Sequence, residues 1–165
     1  MASTSAIATT YVNIALTEAF AYHAKTLHSH PKGYSVSIRE RLENGRDIPA
    51  EAYIEALRVR GILRAEVDAA LRDCDALVLP TLPIPAQKIG ADTVDIEGVP
   101  HMVRPMMLRL TQLFNLTGHP AISLPCGNTA EGLPCGLQLV GRRQETVRLL
   151  GIALSCEAHV TPRAL

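Results

Sequence analysis

The 165 residues suit one ordinary domain, and 47% hydrophobic against 19% charged residues can fill a core, which excludes a disordered chain. Lys and Arg total 16 and so do Asp and Glu, so no field of one sign is available to attract nucleic acid or an anionic membrane surface. No apolar run approaches the roughly 18 residues of a membrane-spanning helix, and the small, polar start lacks the basic region of a signal peptide, so the cytoplasm is the expected location.

In chain order, residues 7–27 read as a helix, with Tyr11, Ile14, Ala15, Ala19 and Tyr22 at helical spacing. Pro31 and Gly33 interrupt. A short helix over 35–43 is expected to stop at a left-handed cap on Asn44-Gly45. Asp47 reads as the cap and Pro49 as the first turn of a helix reaching residue 72. Tyr53, Leu57, Leu63, Val67 and Leu71 form its expected buried stripe, with Glu55–Arg58 and Asp68–Arg72 as attractive pairs on the wet face.

The pattern changes near Cys74. Ala76-Leu77-Val78-Leu79 has nothing polar on either face and reads as a strand covered on both sides. Pro80, Pro83 and Pro85 force an extended loop, and the polar stretch 90–100 reads as an irregular surface excursion. Residues 102–116 read as one helix, ended by Thr117-Gly118-His119-Pro120. Strands around Ile122 and Leu139 flank a polar turn and predict a hairpin, and a last helix over 145–159 carries Val147, Leu150, Ile152 and Leu154. This order predicts an α/β chain, mainly helical over 1–73, with short strands among helices over 74–165. Cys74, Cys126, Cys135 and Cys156 form no CxxC and are expected to be reduced, mostly buried thiols.

Three ordered phrases carry a resemblance: Asp75-Ala-Leu-Val-Leu-Pro-Thr-Leu-Pro-Ile-Pro-Ala86, Phe114-Asn-Leu-Thr-Gly-His-Pro-Ala-Ile-Ser-Leu-Pro-Cys-Gly127 and Gly132-Leu-Pro-Cys-Gly-Leu-Gln-Leu-Val-Gly141. They resemble the C-terminal third of amidase-signature hydrolases, and weaker similarity over residues 34–60 extends it to about nine tenths of the chain. The resemblance implies the C-terminal part of that α/β fold, a mixed β-sheet flanked by helices, forming 1–165 as a partial domain. Sheet neighbours missing from such a part would leave a strand edge and an apolar face open, so self-association is expected.

The family hydrolyses amide carbon–nitrogen bonds with a Ser–Ser–Lys set, the nucleophile lying in a Gly/Ser-rich stretch. No such stretch occurs here, and the lysines, Lys25, Lys32 and Lys88, sit in segments that match regions beyond the catalytic ones. No catalytic residue is therefore assigned, no cofactor is implied, and the expected partner is a small-molecule amide bound by a longer parent. The alternative is a non-catalytic module derived from an amidase. By the resemblance, relatives that take ammonia from glutamine hold its amino group with an acidic residue and its carboxylate with an arginine. Those positions fall on Leu108 and near Lys25. Leu108 cannot pair with an ammonium, which implies a less polar substrate. Thr111, one turn on, is the third candidate for the pocket wall; core packing for Leu108 and Thr111 and a solvated face for Lys25 are the plain alternatives.

No metal site is expected. His23 and His28 are five apart, off one helix face, and solvated histidines near a helix end account for them and His30. His101 and His119 sit beside prolines and read as structural. A Cys–His hydrolase from Cys126 or Cys135 with His119 is disfavoured, because the resemblance already accounts for those positions.

Overall fold

The computed structural model describes residues 4–160, which divide into two compact units between Arg64 and Ala65. The first unit is helical. After a 3-10 turn at Thr4–Ala6 come α1 (Ile7–Ser29), α2 (Val36–Arg46) and the start of α3 (Ala50–Ala70), which continues across the division. Ile14 and Leu27 of α1, Leu42 of α2 and Ala56 and Leu63 of α3 are buried, whereas Tyr53 and Leu57 of the expected stripe are only half-buried. Tyr53 instead donates its hydroxyl to Glu18 Oε1 at 3.0 Å.

Gly45 corrects the sequence reading. It lies inside α2 and is no left-handed cap, because a Cβ there would strike the Leu16 carbonyl of α1, 2.7 Å from its carbon and 3.0 Å from Phe20 Cβ. Glycine is required by a close approach of two helices, not by a turn. Asp47 is the C-cap of α2 and accepts from Arg46 Nε at 3.1 Å, while Pro49 O receives the first N–H groups of α3, from Ala52 and Tyr53. Glu55 and Arg58 do pair, through two bonds of 2.8 and 2.7 Å.

The second unit is built on an antiparallel three-stranded sheet of order β1-β5-β4, from β1 (Leu77–Pro80), β4 (Ala121–Asn128) and β5 (Pro134–Val140). The predicted hairpin is β4–β5, and β5 is central. Along β5, residues 137 and 139 face one way and 136 and 138 the other, as a strand's period of two requires. Leu139 and Leu124 pack on Leu149 and Ala153 of α6 (Thr146–Val160), flanked by Ile122, Ile152 and Cys156. Of the α6 residues singled out from sequence, only Ile152 joins this core; Val147 and Leu154 are 84% and 72% exposed. The strand around Leu77 is not covered on both sides: it alternates, with Val78 62% exposed, because α6 packs chiefly on β4 at the far side of the sheet and leaves this edge open.

Both edge strands carry a proline. The Thr81 N–H donates to Gly136 O at 2.8 Å, so the backbone of residue 136 points toward β1. Residues of an antiparallel strand alternate in direction, so Leu137 points toward β4. Their partners Pro125 and Pro80 therefore turn their nitrogens away from β5.

Two further expectations are corrected. The stretch over 90–100 contains β2 (Thr93–Ile96) and β3 (Val99–Met102), an antiparallel hairpin whose turn, Glu97-Gly98, has φ of 55° and 81°. Two positive φ values match the twist of a hairpin, and Asp95 Oδ1 accepts the Gly98 N–H at 2.8 Å. The single helix over 102–116 is instead α4 (Val103–Leu108) and α5 (Gln112–Thr117), broken at 109–111. All four cysteines are free but half-buried, not mostly buried; Cys156, for one, flanks the core around Leu149 instead of entering it.

Candidate functional site

The break between α4 and α5 brings two of the three predicted pocket residues together. Leu108 ends α4 and Thr111 caps α5; both are half-buried. Tight i→i−3 bonds make the turn: Arg109 N–H to Met106 O and Thr111 N–H to Leu108 O, each 3.1 Å. The Thr111 hydroxyl donates to the same Leu108 oxygen at 3.3 Å, a back-bond that competes with helix continuation. Lys25 is the third predicted residue. It lies exposed on α1, in the first unit.

The sheet holds the turn in place. Gln138, buried on β5, donates its amide Nε2 to Leu110 O at 3.1 Å, a carbonyl that an uninterrupted helix would have offered to residue 114. A buried amide demands such a partner, since leaving it bare costs roughly 1–3 kcal/mol. The side chain that must be satisfied thus fixes the backbone between Leu108 and Thr111.

Beside Gln138, the three family-like phrases meet. Thr81 Oγ1 and Ser123 Oγ are 2.6 Å apart, and both lie over Gly136, where a Cβ would be 2.7 and 2.6 Å from them. Among the described residues the two hydroxyls bond to each other and to no basic group, so the pair joins chain segments.

The structure also assembles a cluster that sequence reasoning missed. Gly118 takes the left-handed conformation (φ 77°, ψ 24°) that ends α5, its N–H donating to Phe114 O at 2.9 Å. The reversal turns His119 inward, where its side chain is 0% exposed. His119 Nδ1 lies 2.8 Å from Thr117 Oγ1 and Nε2 lies 3.1 Å from Asp68 Oδ1. Arg143, just after β5, grips the same carboxylate with Nε and Nη2 at 3.4 and 3.3 Å. Asp68 was expected to pair with Arg72 along its own helix; it serves His119 and Arg143 instead, because α3 presents it to the α5–β4 reversal. Burial pushes the Asp68 carboxyl up, but hydrogen bonds and charge from Arg143 and His119 outweigh it and hold it below the ordinary carboxylate value. Arg142 secures the chain after α3, donating Nε to Leu71 O at 3.2 Å and Nη2 to Cys74 O at 3.0 Å.

The N-terminal histidines have other company. His23, half-buried, pairs through Nδ1 with the Tyr34 hydroxyl at 3.0 Å, and His30 Nδ1 lies 2.8 Å from Ser29 Oγ. Among the described residues no three or more His, Cys, Asp or Glu side chains group to hold a metal ion. Among them, too, no helix is long and apolar enough to cross a membrane.

Residues 1–150 match the family model described as Amidase. The chain belongs to the amidase family. It is 34% identical to an amidase of Pseudomonas putida over 149 residues, covering 90% of this chain and 32% of the relative. It is likewise 34% identical to a glutamyl-tRNA(Gln) amidotransferase subunit of Syntrophus aciditrophicus (strain SB), over 79% of this chain and 27% of that one. A crystal structure of an amidase superposes with a TM-score of 0.89 at 35% identity, over 96% of this chain and 36% of that one. The chain thus spans about a third of the length of these relatives. Its α/β architecture is that of a part of the amidase-signature fold.

Proposed function

We propose that these residues form the C-terminal portion of an amidase-signature hydrolase of an amide carbon–nitrogen bond. The nucleophilic serine, its bridging serine and the lysine belong to sequence outside them. One observation carries this: the three phrases fold into a single junction at Thr81, Ser123 and Gly136, beside a turn that presents Leu108 and Thr111. Such an arrangement builds a wall and supplies no proton acceptor. In the parent, the wall faces a small-molecule amide.

Leu108 sets the substrate class. A half-buried hydrocarbon side chain at the end of α4 offers nothing to an ammonium, so an uncharged alkyl or aryl amide fits better than glutamine. Thr111, its hydroxyl committed to Leu108 O, keeps that end of the wall closed. Lys25 stands in solvent and plays no part in this reading of the wall. A cytoplasmic setting suits the four free thiols. Association, on this reading, uses the outward apolar row of α6, Val147, Leu150 and Leu154, and not the proline-bearing sheet edges.

The test replaces the matching third of the Pseudomonas putida amidase with these 165 residues. The chimera is expected to hydrolyse uncharged amides in preference to glutamine, and the 165 residues alone to hydrolyse neither. Turnover by the isolated chain clearly above a heat-inactivated control would overturn the assignment, and a glutamine-preferring chimera would overturn the substrate class.

A further inference from the structure

Three of the four cysteines share one face of the three-stranded sheet. A Cβ on Gly136 would point at the Thr81 and Ser123 hydroxyls, so its neighbours Cys135 and Leu137 point to the opposite face, where Leu139 meets α6. On β4, Leu124 meets α6 as well, and Cys126 stands two residues further along the same row. Cys156 reaches that face from α6 itself.

Two of these cysteines are also opposed across the strands. The β4–β5 ladder pairs Pro125 with Gly136 and then Asn128 with Pro134. Between those pairs β4 has two residues, Cys126 and Gly127, whereas β5 has one, Cys135. A bulge of this kind sets Cys135 against both. Gly127, at φ 117°, takes up the extra residue, which leaves Cys126 in step with the regular ladder before it. The bond from the Thr81 N–H turns the backbone of residue 136 toward β1, so that of Cys135 faces β4. Opposed residues of antiparallel strands hold their α-carbons about 4.5–5.5 Å apart, inside the roughly 4.4–6.8 Å that a disulfide spans. Both thiols are half-buried, so a small reagent reaches them.

We propose that Cys126 and Cys135 form an oxidation site, which a small-molecule disulfide closes into a cross-strand bond beside Gly136. The thiolate of one cysteine attacks a sulfur of the reagent, forming a mixed disulfide and releasing one reagent thiolate. The second cysteine's thiolate then attacks the protein-bound sulfur, closing the Sγ–Sγ bond and releasing the other half of the reagent. The two protein thiols lose two electrons and two protons, and the two released thiols carry them. Closed, the bond encloses the ten residues 126–135 and fixes β4 to β5 where the bulge interrupts their ladder. Reduced, Cys135 Sγ donates instead to Leu133 O at 3.9 Å, and the hairpin is held by its backbone bonds. None of this depends on the chain's enzymatic role.

The test equilibrates the full chain with oxidised glutathione, caps the remaining thiols by alkylation and maps the cysteines by peptide mass spectrometry. Cys126 and Cys135 should be recovered joined to each other, with Cys74 and Cys156 alkylated. Bridging a ten-residue loop restricts the unfolded chain, so the oxidised protein should melt roughly 5–10 °C above the reduced one. Cys126→Ser and Cys135→Ser should each abolish that rise. Recovery of Cys126 or Cys135 bonded to Cys156, or of both carrying only glutathione, would overturn the proposal, and this mapping needs no variant to fold. A mapped Cys126–Cys135 bond that lowered the melting temperature would overturn it equally, because the strands would then have had to move to make it.

Discussion

Alanine substitution at two helical glycines should have opposite signs, because the space around them differs. Glycine inside a helix costs roughly 0.5–1 kcal/mol relative to alanine, so on backbone terms alone both changes stabilise. At Gly61 in α3 nothing lies within 4 Å of the new methyl, and Gly61→Ala should gain most of that amount. At Gly45 the methyl would meet the Leu16 carbonyl, 2.7 Å from its carbon, and sit 3.0 Å from Phe20 Cβ. The obstacle is backbone in the middle of α1, which cannot rotate aside as a side chain would. The two helices must part by roughly 1 Å along a seam near the buried Ile14 and Leu42, and overpacking of this kind costs about 1–3 kcal/mol. Backbone obstruction places Gly45→Ala at the upper end, for a net loss of about 2 kcal/mol after the propensity gain. In a chain of this length that lowers the melting temperature by about 4–8 °C. Urea unfolding followed by far-ultraviolet circular dichroism measures both variants on one scale. Gly45→Ala at or above wild-type stability, or both variants moving in the same direction, would refute the close-approach argument.

A similar logic applies where the three phrases meet. Gly136→Ala pushes on the Ser123 and Thr81 hydroxyls, and Ser123→Ala added to it should recover part of the loss. A double-mutant unfolding cycle should give a coupling of about 0.5–1.5 kcal/mol; additive losses would show that the segments do not interlock. At Asp68 the carboxyl is held below its ordinary value. Its contribution is therefore fully present above the unfolded value of about 3.9 and fades as pH falls through the lower folded value. With its side chain 43% exposed, solvent screening keeps that contribution below about 1 kcal/mol. Denaturant unfolding across acidic pH should show a shallower loss of stability in Asp68→Asn than in the wild type, and parallel acid limbs would contradict the assignment.

Local periodicity made α1, α3 and α6 legible, and short apolar runs marked β1, β4 and β5. The losses have specific physical sources. The β2–β3 hairpin hid because its turn places a glutamate, Glu97, at φ 55°, a conformation that sequence habits reserve for Gly, Asn and Asp. The 109–111 break hid because its cause, the Gln138 amide, arrives from a strand 28 residues on. Gly45 reads as a stop signal in one dimension and as a contact in three. Spacing also placed Leu108 and Thr111 one turn apart, and the structure keeps them adjacent by a different route, a broken helix. Nothing local could reveal the His119 cluster, whose partners Asp68 and Arg143 stand 51 and 24 positions away, one before it and one after. A buried-facing histidine following a left-handed glycine was the one hint available.

The prolines of the sheet edges bear on how the chain can fail. An edge strand offers a row of N–H groups to any passing strand, and an open sheet tends toward runaway stacking. Pro80 and Pro125 each delete an outward-facing donor, one on either flank of β5. Replacing both with valine would remove little that the native fold relies on. It would instead restore an outward donor on each strand, so in these 165 residues alone the damage would appear as concentration-dependent precipitation during refolding while the melting of the native state stayed nearly the same. These residues protect the crowd of molecules more than the single one.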